Sequence, residues 1–288
     1  MKNYLSLIKF SHTIFALPFA CIGFFLANTQ SAQATINWIL FLKVLAVMVF
    51  ARSAAMAFNR YIDRDIDEKN PRTAVREIPA GVISPSNALW FIVINCVLFI
   101  ITCYFINPLC FYLSPIAIGV ILGYSYTKRF TSLCHFVLGV GLALAPVGAY
   151  LAVTGAFDAS SQWAILYGGI VLFWVAGFDI IYALQDEEFD RDLGLNSIPA
   201  ALGKKGALWL SNGLHVLAAA IVVYIGWGNA THTLYWIGAA LFIGLLFYQH
   251  LLVKPHDLSK VNLAFFTTNG VASVLFGILV ITDMYWVV

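Results

Sequence analysis

Two acidic clusters, each following a long apolar run, are the most informative chemistry in this 288-residue chain. A spacing of four residues advances a helix by about 40°, and a spacing of seven is nearly in line, so the members of each cluster share a helix face. The polar members are Asn59, Asp63 and Asp67 in the first cluster, and Asp179, Asp186 and Asp190 in the second. Carboxylate clusters bind Mg²⁺, which usually completes its coordination with substrate phosphates. In an apolar chain this pattern indicates chemistry on a lipid diphosphate.

Four of these carboxylates, Asp63, Asp67, Asp186 and Asp190, are the predicted Mg²⁺ ligands. Carboxylates held close together repel one another and cannot all stay ionised without cations. A bound Mg²⁺ neutralises them and presents itself to the diphosphate oxygens. The alternative is an acidic loop that is only solvated. It is disfavoured because the helical phasing is right twice, and polar groups at membrane depth are functional by default.

Three basic residues are expected to bind the diphosphate: Arg72, Lys128 and Arg129. Arg72 follows Asp67 by five residues, and the other two end an apolar run predicted to finish on the same side of the membrane. Arginine gives bidentate contacts to phosphate and lysine a point charge. For each of them, a role in setting membrane orientation is an equally good explanation.

Arg52 lies seven residues before Asn59, on the same helix face and about 10 Å deeper. A lone guanidinium at that depth is costly unless it meets an anion in a polar cavity, so Arg52 is expected to receive a carboxylate-bearing substrate. Snorkelling, or an internal pair with Asp179, is the alternative. Asp179 itself could orient a phenol or take a proton, or could be a structural partner of Arg52 or Tyr182.

The composition predicts an all-α integral membrane protein with a single domain over residues 1–288. The chain is 61% hydrophobic and 10% charged, against about 25% charged in soluble domains. Helices satisfy every backbone group in lipid, and apolar runs near 20 residues span a bilayer. The nine predicted transmembrane helices are Ser11–Asn28, Trp38–Phe58, Asn87–Ile106, Pro108–Thr127, Leu133–Thr154, Trp163–Leu184, Ala207–Trp227, Leu234–Val253 and Leu263–Ile281. The two acidic clusters are related by a constant offset in residue number, so helices 1–4 and 5–8 are expected to form a parallel pseudo-repeat.

Basic charge is concentrated on one side of the predicted bundle. All lysines and arginines except Lys43 and Arg52 lie before the first predicted helix or in the alternate loops that carry the acidic clusters. The positive-inside rule therefore makes the N-terminus and both clusters cytoplasmic and the C-terminus external. Because these basic residues alternate with acids, nucleic acid is not an expected partner. The five cysteines lie in apolar segments and are expected to be buried thiols.

Two motifs resemble those of the UbiA family of intramembrane aromatic prenyltransferases. One is NxxxDxxxD from Asn59, and the other is DxxYAxxDxxxD from Asp179. Supporting segments are YSYTKR, which begins at Tyr124, and the RT of Arg72–Thr73 before IPAG. The resemblance covers nearly the whole chain. It implies a UbiA-like helical bundle with a lateral opening to membrane lipid, and Mg²⁺-dependent transfer of a polyprenyl group from polyprenyl diphosphate to an aromatic ring.

The resemblance also implies roles for individual residues. Arg72 and Lys128 stabilise the departing diphosphate, and Asp179 is the candidate base. An allylic cation forms where water is excluded, and the ring attacks it. Substrate contacts are expected from Arg52, Asn59, Tyr124, Arg129 and Tyr182.

The resemblance and Arg52 together indicate only that the acceptor substrate is an aromatic acid. The Tyr-Ala pair of the second motif is most similar to 4-hydroxybenzoate polyprenyltransferases of ubiquinone synthesis. The first predicted helix opens with Ser11-His12, where those enzymes usually have an Arg-x-x-Lys-Pro-type start. That opening resembles the futalosine branch of menaquinone synthesis, with a dihydroxynaphthoate acceptor, and Arg52 suits either acid.

Other readings remain open at this point. A haem, chlorophyllide or homogentisate-like acceptor is the alternative within the family. Outside it, a membrane ion channel or carrier also carries intramembrane charge. The expectation that the outer half has almost no ionisable group except Lys43 argues against a transport pathway. The predicted location is a bacterial inner membrane, with the active site on the cytoplasmic side.

Overall fold

The structure is a computed structural model that describes residues 2–8, 15–30, 35–229 and 231–285. In these ranges the chain forms helices, their connections and one isolated β-bridge between Lys254 and Asp257. The α-helices are α1 (Lys2–Leu7), α2 (Leu17–Gln30), α3 (Trp38–Ile62), α4 (Arg64–Lys69), α5 (Pro85–Tyr104), α6 (Pro108–Thr127), α7 (Cys134–Thr154), α8 (Ser161–Ala183), α9 (Glu187–Asp192), α10 (Ile198–Gly228), α11 (Thr233–Leu252) and α12 (Asn269–Tyr285). A 3₁₀ turn, Leu184–Asp186, joins α8 to α9, and a π-helix, Leu263–Thr268, leads into α12. The all-helical membrane fold is therefore confirmed.

Eight helical segments of the described chain are long and apolar enough to span a membrane. They correspond to the second to ninth predicted helices. The first, Ser11–Asn28, is represented by α2, a shorter apolar helix of 14 residues. Ser11 and His12 lie outside the described residues, so the count of nine spans stays a prediction.

The predicted helix boundaries agree with the observed ones where strong capping residues are present. Pro108–Thr127 is correct to the residue, because Pro108 starts the helix and the Asn107 side chain accepts from Cys110 N at 2.8 Å. The prediction that the seventh span begins at Ala207 is wrong. That helix begins at Ile198 and has a break at Gly203, where φ is 66°.

The connections place both acidic clusters at one end of the bundle, called here the acidic end. Helices α3 and α8 both finish there, and α4 and α9 follow them directly. The opposite end is less free of charge than the sequence suggested. Asp158 bonds to Ser161 there, and the buried Asp283 accepts from the backbone N–H groups of His232 and Tyr235. The expectation of almost no ionisable group besides Lys43 is therefore wrong.

The acidic clusters do not lie on unbroken helices. Helix α3 ends at Ile62, and Asp63 caps it before α4 begins. The second cluster is interrupted by the 3₁₀ turn that ends at Asp186. Short polar side chains favour helix ends over helix interiors, which accounts for both breaks. The clusters therefore curve around the ends of α3 and α8 instead of following one straight face.

A buried polar network ties the last span to the core. The indole of Trp174, at the centre of the aromatic core, donates to Asn269 Oδ1 at 2.7 Å, and Gln249 Nε2 donates to the same oxygen at 3.0 Å. The Asn269 amide in turn donates to the carbonyls of Ala264 and Phe265 inside the π-helix, at 3.0 and 2.9 Å. These bonds satisfy backbone groups that an apolar environment would leave unpaired.

Candidate active site

Each of the four predicted metal-binding aspartates forms an ion pair with a basic side chain. Asp63, Asp67 and Asp190 are buried, and Asp186 is partly buried. The pairs are Asp63 with Arg129 (3.1 Å), Asp67 with Arg76 (2.6 Å), Asp190 with Lys128 (3.3 Å), and Asp186 with Arg72. Such close acidic groups need compensating charge, and these cations supply it.

Asp63 lies where α3 ends, and two neighbouring side chains contact its carboxylate. The Asn59 amide donates to Asp63 Oδ2 at 3.3 Å, and Arg129 donates both to Asp63 and to the Ile62 carbonyl. Burial raises the pKa of Asp63 above its ordinary value, and Asp67 adds to that shift, while Lys128 and Arg129 oppose it. The side chain is therefore a poorly solvated carboxylate that benefits from a cation.

Asp67 is held by the loop that follows α4. Arg76 Nη1 lies 2.6 and 2.8 Å from the two carboxylate oxygens, and Thr73 Oγ1 donates to the Asp67 carbonyl. From the sequence, Arg76 was only one of the charges that set membrane orientation. Arg76 and Asp67 are nine residues apart and do not share a helix, so only the folded loop reveals their contact.

The first acidic segment also contacts the second. Asn70 Nδ2 donates to Asp186 Oδ1 at 3.1 Å, and Arg72 Nε donates to the same oxygen at 3.0 Å. Arg72 Nη1 donates to the Tyr182 hydroxyl at 3.1 Å. Burial alone would lower the pKa of Arg72, but its bonds to Asp186 outweigh that effect and raise the pKa. The two clusters thus contact each other, which fits the predicted pseudo-repeat. Asn70 was not among the predicted site residues.

Lys128 anchors the far side of the second cluster. Its ammonium pairs with Asp190, while its carbonyl accepts from Asn196 N at 2.7 Å. The Asp190 carbonyl accepts from Leu195 N at 2.8 Å. Both the side chain and the backbone therefore join the end of α6 to the segment between α9 and α10.

The donor set at the acidic end fits Mg²⁺ better than a metal held by protein alone. Among the described residues, no three His, Cys, Asp or Glu side chains are placed to hold one ion directly. Mg²⁺ prefers hard oxygen ligands and is usually bound by one or two carboxylates together with substrate phosphates. Two facing pairs of aspartates surrounded by arginine and lysine suit that arrangement.

An apolar cavity of about 360 Å³ extends between α3, α6 and α7 towards the opposite end. Its polar lining includes Arg52, Tyr124 and Ser114, and the rest is almost wholly apolar, from Val44 to Phe157. Arg52 Nε is buried without a hydrogen-bond partner in the part of the chain that the structure describes. Tyr124 lines the cavity and lies four residues before Lys128 near the end of α6, so it is placed where the cavity approaches the acidic end.

Asp179 is not paired with Arg52 or Tyr182, which corrects both structural alternatives. Its Oδ2 lies 2.7 Å from Nδ1 of His135, a buried residue near the start of α7. His135 was not predicted as a site residue, because its distance from Asp179 along the chain leaves no local signal for the contact.

Tyr182 stacks on Phe265 of the π-helix, with ring centroids 4.2 Å apart. Its hydroxyl accepts from Arg72, and the Arg72 guanidinium lies 5.5 Å from the ring centre. Tyr182 therefore holds the Arg72 guanidinium in place, and Phe265 of the π-helix holds the Tyr182 ring in place. The role of Phe265 had no sequence signal, because π-helices have no distinctive residue pattern.

Comparison with protein families and sequences gives a consistent result. Residues 16–271 match the UbiA prenyltransferase family. The 4-hydroxybenzoate octaprenyltransferase of Shewanella sediminis (strain HAW-EB3) is 30% identical over 240 residues, which are 82% of each chain. The enzyme of that name from Aliivibrio fischeri (strain MJ11) is 28% identical over 246 residues, which are 85% of this chain and 84% of that one.

Comparison with solved structures gives the same fold. A UbiA homolog from Aeropyrum pernix K1, in its apo structure, superposes with a TM-score of 0.85 at 30% identity, covering 95% of this chain and 98% of that one. A UbiA homolog from Archaeoglobus fulgidus bound to DMAPP and Mg²⁺ has a TM-score of 0.73 at 21% identity, with 99% and 100% covered. The second likeness concerns the fold alone.

Proposed function

This chain belongs to the UbiA prenyltransferase family and is an aromatic prenyltransferase, and from that premise we propose that it transfers a polyprenyl group from its diphosphate to an aromatic acid. The observation that carries this proposal is the arrangement at the acidic end. Two facing acidic segments with four basic partners adjoin an apolar cavity that contains one arginine. A charged head group, an apolar tail and an acidic ring each have a matching surface.

The head group of the donor binds at the acidic end in this proposal. Asp63, Asp67, Asp186 and Asp190 would hold Mg²⁺, which would supply Lewis-acid stabilisation of the departing diphosphate. Arg72, Lys128 and Arg129 contact the diphosphate oxygens, and Asn59 supports Asp63. The same arginines and lysine that neutralise the carboxylates are thus within the reach of a bound anion.

The tail of the donor occupies the apolar cavity. A polyprenyl chain gains about 25 cal/mol for each Å² of apolar surface removed from water. The lining is apolar along nearly its whole length, so it also excludes the water that would capture an allylic cation. Tyr124, at the junction of cavity and acidic end, lies beside the bond that breaks.

The acceptor ring binds with its carboxylate at Arg52. An arginine fork and a carboxylate form a bidentate, charge-assisted pair. The C–O bond of the donor breaks with its electron pair going to the diphosphate, and a ring carbon forms a bond to the freed prenyl carbon. The proton of that ring carbon passes to Asp179, and its bonding electrons return to the ring.

The acceptor within this class is 4-hydroxybenzoate or a dihydroxynaphthoate. The names of the relatives support the first, and the opening of the first predicted helix supports the second. The test uses the full-length chain in lipid nanodiscs with a polyprenyl diphosphate, each acid in turn, and Mg²⁺ or a chelator. Prenylated acid detected by mass spectrometry only with Mg²⁺ is the expected result. Ion flux without prenylated product would contradict the proposal and favour a carrier.

The acidic end is proposed to face the cytoplasm of a bacterium whose inner membrane holds the protein. The described connections at the opposite end carry no lysine or arginine, which supports this orientation. Labelling of a cysteine introduced at Ala159, which is exposed in the α7–α8 connection at the opposite end, tests it in a chain without its five native cysteines. Reaction only from the cytoplasmic side would reverse the assignment.

A further inference from the structure

The pair formed by Asp179 and His135 assigns a role to a residue outside the substrate and metal groups described above. We propose that His135 is a positioning residue that holds the Asp179 carboxylate in the orientation that accepts the ring proton. This inference rests on the proposed function, since it concerns the base of that same reaction. It adds a requirement that the sequence motifs do not indicate.

Close packing of α7 on α8 brings the two side chains together. A Cβ atom at Gly139 would lie only 2.6 Å from the Leu172 carbonyl oxygen, so the helices approach this closely only because residue 139 is glycine. His135 is four residues before Gly139 and Asp179 is seven after Leu172, so each lies on the contacting face of its helix. The 2.7 Å contact follows from this packing.

Hydrogen bonding on the other side of the imidazole determines where its proton resides. The backbone N–H of Ile198, at the start of α10, donates to His135 Nε2 at 3.3 Å. Nε2 is therefore an acceptor without a proton, and Nδ1 carries the hydrogen that is donated to Asp179 Oδ2. His135 can therefore orient Asp179 while it keeps the bond from Ile198.

This arrangement leaves the second carboxylate oxygen available. In the part of the chain that the structure describes, Asp179 Oδ1 has no hydrogen-bond partner, and the side chain is about one quarter exposed while that of His135 is buried. Asp179 and Arg52 both interact electrostatically with the Tyr124 side chain. In the proposed function, a ring whose carboxylate is held by Arg52 is presented to that free oxygen of Asp179.

The segment that fixes His135 also fixes part of the diphosphate site. The Cys134 thiol lies 3.6 Å from the Asn196 carbonyl, and Asn196 N donates to the Lys128 carbonyl. Lys128 pairs with Asp190. The orientation of the base and the geometry of one diphosphate contact thus depend on the same joint between the α6–α7 and α9–α10 connections.

The chemical step balances with these groups alone. When the ring carbon has bonded to the prenyl carbon, it still carries its hydrogen, and the ring is a cation. Asp179 Oδ1 takes that hydrogen as a proton, the C–H electron pair restores aromaticity, and the protonated carboxyl later releases the proton to solvent. His135 donates one hydrogen bond throughout and does not change its charge.

Two substitutions at position 135 separate positioning from simple packing. The Asn side-chain nitrogen of His135→Asn falls where Nδ1 lies, so it can still donate to Asp179. The Gln amide of His135→Gln extends instead to the place of Nε2 and can serve only Ile198. Gln matches the imidazole better in length, so a merely structural role predicts the opposite order of damage. His215→Gln, which removes another buried histidine that contacts His250 and not Asp179, is the matched control.

The measurements are kcat, both KM values and the kinetic isotope effect with ring-deuterated acceptor, on variants of normal yield and thermal stability. We expect His135→Gln to lower kcat by about 10- to 100-fold, a part of what a general base contributes. Donor KM should hardly change, and a ring-deuterium isotope effect should appear as proton removal becomes limiting. His135→Asn should recover most of kcat, and His215→Gln should show no new isotope effect.

The outcomes separate this inference from the function on which it rests. Wild-type turnover in His135→Gln, or an equal loss in Gln and Asn variants without an isotope effect, overturns the positioning role while prenyl transfer stands. Failure of the wild-type chain to prenylate any aromatic acid overturns the proposed function itself. If His135→Gln keeps more activity than His135→Asn, His135 serves only to accept the Ile198 N–H bond at the start of α10.

Discussion

Arg72, from the first acidic segment, donates two hydrogen bonds to the Asp186 carboxylate of the second and one to the Tyr182 hydroxyl. The two halves of the proposed diphosphate site are therefore joined by a cation and not only by proximity. Arg72 has to exchange some of these contacts for phosphate oxygens when a donor binds. Its stacking near Tyr182 keeps the guanidinium in place during that exchange.

Replacing Arg72 by Gln is expected to damage donor use specifically. The amide can still bond to Asp186, but it carries no charge to stabilise the departing diphosphate. Loss of one such stabilising group costs about 100-fold in kcat. Steady-state kinetics with varied donor should show the fall in kcat and a raised donor KM. Arg64→Gln is the control, because Arg64 lies at the same end but contacts the Tyr61 carbonyl and Asp65. Equal effects in both variants would contradict a specific role.

The four paired aspartates should each be required for metal-dependent turnover. Substitution by Asn at Asp63, Asp67, Asp186 or Asp190 is expected to lower kcat at least about 100-fold, because the metal loses a charged oxygen ligand. Chelation of Mg²⁺ in the wild-type chain should do the same, and added Mg²⁺ should restore it. Turnover in a Mg²⁺ titration is the measurement.

Two neighbouring acids serve as matched controls for that series. Asp65 and Glu188 lie in the same short helices, but their side chains are 77% and 78% exposed. Asp65→Asn and Glu188→Gln should keep near-normal turnover and Mg²⁺ dependence. If two of the four paired aspartates could be replaced with as little effect as these controls, the metal assignment would be wrong.

Arg52→Lys should weaken use of the acceptor and leave the donor unaffected. One ammonium cannot replace the bidentate fork of a guanidinium. Losing a desolvated charged contact costs about 2–5 kcal/mol, so acceptor KM should rise well over tenfold. Lys43→Arg is the control, since Lys43 bonds to the Phe105 carbonyl near the opposite end. A raised donor KM with an unchanged acceptor KM would move Arg52 into the diphosphate site.

Stability should depend on pH through Asp63. Burial raises the pKa of Asp63 in the folded chain above its unfolded value, so folding favours the protonated form. The resulting stabilisation is fully present below the unfolded pKa and is lost as the pH rises through the folded one. With chelator present near pH 7, Asp63→Asn should therefore melt no lower than wild type, and its relative advantage should shrink towards acid pH. Thermal unfolding across that pH range would contradict this if the variant were less stable by a constant margin.

Donor length should respond to filling of the cavity. Gly148 lines the cavity, and a Cβ added there meets no atom within 4 Å. Gly148→Phe should therefore block the cavity without distorting α7, so that short prenyl diphosphates remain substrates and long ones are lost. Gly123→Phe is the matched control, because Gly123 also has open space but does not line the cavity. The ratio of kcat/KM for short and long donors is the measurement, and an unchanged ratio in Gly148→Phe would show that the tail lies elsewhere.

Local sequence signals account for the helices and for the end of the bundle at which both acidic clusters lie. Asn107 and Pro108 fix the start of α6 to the residue because capping chemistry is local. The start of α10 was misplaced because Ser197 and Pro199 form a second, earlier cap that Gly203 separates from the apolar run. The four aspartates were predicted as Mg²⁺ ligands because their spacing repeats.

The residues that escaped prediction are those whose partners come from elsewhere in the chain. The contact of Asp179 with His135 depends on how closely α7 and α8 pack, which no residue pattern specifies. Arg76 meets Asp67 only because the loop after α4 folds back. The alternative pairings for Asp179 were plausible by depth alone, and three-dimensional packing decided against them.

The buried network around Asn269 also gives the bundle an order of completion during synthesis. Trp174 and Gln249 precede Asn269 in the chain, and each carries a polar group whose partner in the described chain is Asn269. Until the last span arrives, those groups face lipid or find temporary partners, which is unfavourable in a medium without water. Arrival of α12 satisfies both groups at once and also brings Asp283 to the free N–H groups at the start of α11. Helix α12 thus closes the bundle, and the core becomes a single cooperative unit only when that helix is in place.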